Sequence, residues 1–177
     1  MCVCGLLLRL SATSPAILRA VAAFAHRKLC KKGTNNLSIL KETMKLQIGD
    51  QYEHTVHFTK EDVLKFADLT KDTNPLHTDE NFARNSIFKS IIVPGFLSGA
   101  VFSKVFGTLF PGIGTIYLYQ EMKFKKPVFI DETYSAQFHI KSIDNDKRRA
   151  TVACKLVHSS GIICIEGDAV IMHPELI

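Results

Sequence analysis

An acid and an imidazole lie five residues apart in Thr70-Lys71-Asp72-Thr73-Asn74-Pro75-Leu76-His77-Thr78-Asp79. Asp72 and His77 are residue types that exchange protons, and such a pair on a stiffened backbone suits general acid/base chemistry. The stiffness comes from Pro75, which fixes its own φ and drives Asn74 out of the helical region. The segment is therefore expected as an irregular loop after a helix, with Asn74 and Pro75 positioning it. Taken alone, the same residues also fit a turn-stabilising Asp and a surface His. Asp79 and His77 could be two metal ligands, but the sequence offers no third at suitable spacing, so no metal site is expected.

The elements that must hold this loop are legible from periodicity. Gln51 to Phe58 alternates and suits a short strand. Thr59-Lys60-Glu61-Asp62 resembles a capping box with Asp in the third position, and Val63, Phe66, Ala67 and Thr70 follow at helical spacing. That helix must stop before Asn74-Pro75. Asn81 to Phe88 fits a further short helix. Phe96 to Leu109 is almost wholly apolar or small, the pattern of a buried helix, and it is too short to cross a bilayer. Beyond Pro111-Gly112-Ile113-Gly114 the period becomes two. Thr115–Phe124, Thr133–Ile143, Ala150–His158 and Ile162–Met172 read as strands, joined by the turns Asp144–Lys147 and Ser159–Gly161. Short connections imply antiparallel neighbours. Tyr134, Ala136, Phe138 and Ile140 fall on one face, and Ser135, Gln137, His139 and Lys141 on the other. The apolar face needs a cover, and the buried helix is the candidate of the right size. The expected class is α+β, an antiparallel sheet wrapped around a central helix. His54, His57, His139 and His158 are expected to face outward, and Cys154 and Cys164 to act as small core residues.

The chain has 177 residues and a formal charge of +5. Residues 1–33 hold Arg9, Arg19, Arg27, Lys28, Lys31 and Lys32 and no acid. Removing these six from the 22 basic residues leaves 16 against 17 acidic ones, a net charge of −1. The remainder gives no argument for nucleic-acid binding. The leader itself is basic and acid-free and carries Ser11, Thr13 and Ser14, with Ile17, Leu18, Val21 and Phe24 at helical spacing. That is the composition of a mitochondrial transit peptide. A secretory signal is the rival, disfavoured because Arg9 and Arg19 interrupt its apolar core; a disordered cytosolic tail is the third reading. The expected organisation is a leader over 1–33, a single domain over 34–177, and a matrix location. No stretch reaches the roughly 18 consecutive apolar residues of a membrane span.

Over roughly residues 46–174 the chain resembles the MaoC-like, or R-specific enoyl hydratase, group of hot-dog proteins. The resemblance rests on Phe66, Thr70, Asp72-Thr73-Asn74-Pro75-Leu76-His77 and Ala83, then Ile92-Val93-Pro94-Gly95-Phe96-Leu97 leading into the long helix. Gly112 to Leu118 and Phe124-Lys125-Lys126-Pro127-Val128 extend it. Several relatives have His where this chain has Pro94, and Met where it has Phe96. The resemblance implies reversible exchange of water between a (3R)-3-hydroxyacyl thioester and a trans-2-enoyl thioester. It implies Asp72 and His77 as the catalytic pair, Gly95 as an oxyanion donor at a helix N-terminus, and Ser103 as a helix serine supporting the pair by hydrogen bonding. With the leader, it points to a dehydratase of mitochondrial fatty-acid synthesis acting on acyl-carrier-protein thioesters. The alternatives are an (R)-specific hydratase of coenzyme A thioesters in degradation and a non-catalytic acyl-thioester-binding subunit; a thioesterase is the weaker rival. No cofactor is expected. A free sheet edge suggests a homodimer.

Overall fold

The structure, a computed structural model, describes residues 45–177. The transit-peptide reading of residues 1–33 falls outside them. The elements run β1 (Gln51–His57), α1 (Lys60–Thr70), α2 (Pro75–Thr78), α3 (Glu80–Asn85), α4 (Gly95–Thr108), β2 (Ile116–Gln120), β3 (Lys123–Phe124), β4 (Thr133–Asp144), β5 (Arg149–His158) and β6 (Ile163–Met172). All strand pairs are antiparallel, in the order β1-β4-β5-β6-β2, and β3 also pairs with β6.

The α4 helix packs on one face of this sheet, the hot-dog arrangement. Phe102 and Phe106 of α4 meet the ring of Phe138 on β4 edge-on, with centroids 5.7 and 5.2 Å away. Tyr117 of β2 packs on Phe106 from the other side at 5.1 Å. The inward set of β4 is as expected: Tyr134, Ala136, Phe138 and Ile140 are all buried. Cys154 and Cys164 are buried as free thiols. Burial pushes the Cys154 thiol up to about 12, which keeps it protonated and unreactive.

The α1 helix opens on the capping box that its sequence signals. Thr59 Oγ1 accepts from the Asp62 N–H, and the Asp62 carboxylate accepts from the Thr59 N–H. The helix closes with Lys71 in the left-handed region, its N–H reaching the Ala67 carbonyl.

Three expectations are corrected. The segment after α1 is not wholly irregular: Pro75–Thr78 is one helical turn, with Asn74 as its cap and Pro75 at the first position, where a missing N–H costs nothing. The expected strand over 115–124 is broken into β2 and β3. Its cause lies on β6, where the Glu121 carbonyl occupies the space of a side chain at Gly167; a Cβ there would sit 1.8 Å from that oxygen. Only glycine lets the crossing chain approach so closely. Gly167→Ala should therefore push β2 and β3 off β6 and lower stability by about 1–3 kcal/mol or more, read by urea denaturation. Finally, not all the strand histidines face outward. His57 and His139 are exposed, but His54 and His158 are half-buried. His158 stacks beside the Tyr134 ring and contacts Glu132 at 3.2 Å.

Candidate functional site

The connection from α1 to α3 is built from three successive side-chain-to-backbone turns. Asp72 Oδ1 accepts from the Asn74 N–H at 3.1 Å. Asn74 Oδ1 accepts from the Leu76 N–H at 3.1 Å and starts α2. Asp79 Oδ1 accepts from the N–H groups of Asn81 and Phe82 at 2.8 and 3.0 Å and starts α3. Asp and Asn favour such turns because their short polar side chains imitate a backbone acceptor, and Pro favours them by fixing φ. Asp72 thus commits one carboxylate oxygen to the loop and makes no side-chain bond through the other among the described residues.

His77 is half-buried, and its Nδ1 lies 2.7 Å from the Ile92 carbonyl oxygen. A carbonyl only accepts, so Nδ1 carries the proton and, in the neutral ring, the lone pair sits on Nε2. The Ile92 carbonyl is itself held in place. The Ile92 N–H reaches the Leu76 carbonyl at 3.4 Å, Ile92 bridges Phe129, and the Val93 N–H donates to Val128 at 2.7 Å. The imidazole is therefore aimed by backbone from both the α2 turn and the loop preceding β4. This tie was invisible in the sequence, because Ile92 is 15 residues away and acts through its main chain.

Gly95 begins α4. Pro94 precedes it as a cap without a side-chain hydrogen bond, so the N–H groups of the first turn have no side-chain acceptor. Such a helix start can stabilise a developing negative charge. The missing side chain of Gly95 has a packing cause as well: a Cβ there would lie 2.9 Å from the Phe124 ring. Ser103 sits on the exposed side of α4 and makes no side-chain hydrogen bond among the described residues, to Asp72, His77 or any other group. The buried serine of this helix is Ser98, whose Oγ donates to the Pro94 carbonyl at 3.2 Å and ties down the helix start. Sequence reading passed over Ser98; its spacing of four from Pro94, an i to i−4 back-bond, was the available signal.

Two cavities stand out among the described residues. The larger, about 600 Å³, lies between β1, α1 and α4; the smaller, about 170 Å³, lies beside α3. Asp72 and His77 line neither. The chain thus brings His77, Ile92 and the start of α4 into one backbone-linked unit, with Asp72 on the loop before it, while Ser103 stands apart. No group of three His, Cys, Asp or Glu residues arranged for a metal occurs among the described residues.

An antiparallel sheet packed on one face of α4, with an Asp-x-Asn-Pro-x-His loop tied through His77 to Ile92 shortly before the helix start, defines the hot-dog class of proteins. The chain belongs to the MaoC-like domain family, whose model matches residues 43–161. It is 35% identical over 129 residues to the (R)-specific enoyl-CoA hydratase of Aeromonas caviae, covering 73% of this chain and 96% of that one. It is also 35% identical over 134 residues to the mitochondrial 3-hydroxyacyl-[acyl-carrier-protein] dehydratase FERN of Solanum lycopersicum, covering 75% and 80%. Among solved structures, the (R)-hydratase from A. caviae involved in PHA biosynthesis superimposes with a TM-score of 0.70 at 35% identity, over 73% of this chain and 98% of that one.

Proposed function

We propose that this protein is a hydro-lyase that interconverts (3R)-3-hydroxyacyl thioesters and trans-2-enoyl thioesters, with Asp72 and His77 as its acid/base pair. The observation that carries this reading is the His77 tautomer: Nδ1 is committed to Ile92, leaving Nε2 as the free base. In hydration the pair holds and activates one water, whose oxygen bonds to C3 while a proton is delivered to C2; dehydration runs the same groups in reverse. Charge that builds on the thioester oxygen meets the uncovered N–H groups at Gly95, and one such donor contributes about 3–4 kcal/mol in a transition state. Asn74 and Pro75 hold the loop. Ser103 reaches this site only if a second chain or the substrate orients it.

Two features support a homodimer. Asp72 and His77 line neither of the two cavities, and β2 ends the sheet with Ile116, Leu118 and Tyr119 exposed. An apolar strand edge of this kind invites pairing. Light scattering at micromolar concentration should report twice the chain mass; a monomer rejects the dimer.

The physiological substrate we favour is an acyl-carrier-protein thioester, in mitochondrial fatty-acid synthesis. The basic, acid-free leader and the named mitochondrial relative support this. The A. caviae relative supports a second reading, in which coenzyme A thioesters are the substrates. The pantetheine arm is common to both carriers, so turnover on matched enoyl thioesters decides. Higher kcat/KM on the carrier-protein form supports the first reading, and the opposite ratio supports the second. Ultraviolet loss of the enoyl-thioester absorbance follows either reaction, and absence of free thiol release separates it from thioester hydrolysis.

A further inference from the structure

The larger cavity belongs to neither Asp72 nor His77, and its lining has a pattern of its own. One wall is a single stripe of α4, Leu97, Val101 and Lys104, at positions i, i+4 and i+7. The facing wall is the matching stripe of α1, Asp62, Lys65, Phe66 and Leu69. Val56 of β1 and Phe58 just after it also line the cavity. Seven residues of helix rise about 10 Å, so the groove is long and narrow in the manner of a medium-length hydrocarbon chain. Leu69 remains 80% exposed, which leaves the mouth of the groove open and greasy.

The charges are unequal. Asp62 is held by Thr59 in the capping box, and Lys65 is paired with Glu61 at 2.7 Å. Lys104 has no carboxylate partner among the described residues; its ammonium donates instead to Nε2 of His54 at 3.2 Å. That contact requires a neutral His54, and burial followed by the Lys104 charge holds the His54 pKa below its ordinary value. His57 is the remaining titratable side chain of the lining. The groove therefore joins an apolar stretch to one cation with no anionic partner among the described residues.

We propose that this groove is a binding site for a free medium-chain fatty-acid anion, with the chain lying over Phe66, Leu69, Leu97 and Val101 and the carboxylate paired with Lys104. The complementarity is both apolar and electrostatic: an alkyl chain fills the walls, and a carboxylate supplies the partner Lys104 lacks. A bound carboxylate also relieves the repulsion that disfavours His54 protonation, so the pKa of His54 should rise on binding.

Decanoate titrated into the full-length protein below its micelle concentration should give saturable one-to-one heat by calorimetry, with decanol binding more weakly. Lys104→Gln should weaken decanoate by about tenfold or more, the loss expected for a hydrogen bond to a charged group. Val101→Trp, which fills the groove, should abolish binding, and Lys147→Gln should leave it unchanged. The His54 ring resonances should titrate at higher pH with decanoate present. Asp72→Asn should bind decanoate as the parent does, because the groove and the acid/base loop are separate. Absence of saturable heat, equal affinity for decanol, or unchanged affinity in Lys104→Gln would each overturn the site. Loss of binding in Asp72→Asn would overturn it too, by moving the fatty acid into the acid/base loop.

Discussion

Asp72→Asn should slow hydration of crotonyl thioester by about 10²–10⁴-fold while the thermal midpoint stays near that of the parent. The two halves of this expectation rest on different oxygens. Asn keeps an Oδ1 to accept from the Asn74 N–H, so the turn that positions the loop survives. What it loses is the carboxylate's negative charge and its capacity to take a proton. His77→Ala should cost the same order of activity, but it also strips the Ile92 carbonyl of its donor, which costs about 1–3 kcal/mol for a half-buried group. Circular dichroism on each variant separates lost chemistry from lost structure. If both side chains act on one water, the double variant loses little beyond either single one, since groups that work as a unit are not additive. A folded Asp72→Asn that keeps activity within a few fold would remove Asp72 from the mechanism.

The largest stability effect is expected at Phe138. It is 2% exposed and touches the rings of Phe102 and Phe106 on α4 and Tyr52 on β1. Truncation to Ala removes the ring on which the helix is seated and leaves a cavity that the rigid sheet cannot close. Phe138→Ala should lose about 3–5 kcal/mol in urea denaturation. Phe82→Ala, at an exposed position on α3, should change stability by about 0.5 kcal/mol or less. Phe138→Ala should also impair hydration even when folded. Phe102 lies seven residues, about 10 Å, along α4 from Gly95, so a helix that rocks on the sheet moves its own first turn. A loss below about 1 kcal/mol would mean that α4 is not seated on β4.

Much of this architecture was readable because it depends on local rules. The period of two over 133–172 places Tyr134, Phe138 and Leu156 inward whatever lies above them. The Thr59-to-Asp62 spacing closes its capping box within one turn of chain. The α4 stretch is apolar nearly all round, which predicts burial on all sides, yet the sheet covers only the face carrying Ser98, Gly99, Phe102, Val105 and Phe106, and Phe96 stays 73% exposed. Errors arose where a distant segment intervened. The break between β2 and β3 is imposed by Gly167, more than 40 residues downstream, so no window around 115–124 could reveal it. His54 looked like an outward strand residue until Lys104 arrived from α4 beside it.

The candidate site divides along the same line. Residue types and spacing, Asp72 with His77 around Asn74-Pro75, were set by the order of amino acids, because proton exchange needs those side chains and the turn needs that proline. Which imidazole nitrogen is free was decided only when Ile92 folded against α2, whereas the helix start at Gly95 was already implied by the Ile92-to-Leu97 block. A chain's order dictates what a residue can do and how its nearest neighbours bend. Hydrogen bonds across 15 residues and grooves between two helices belong to the packed state, since they arise from segments that have no contact until the core forms.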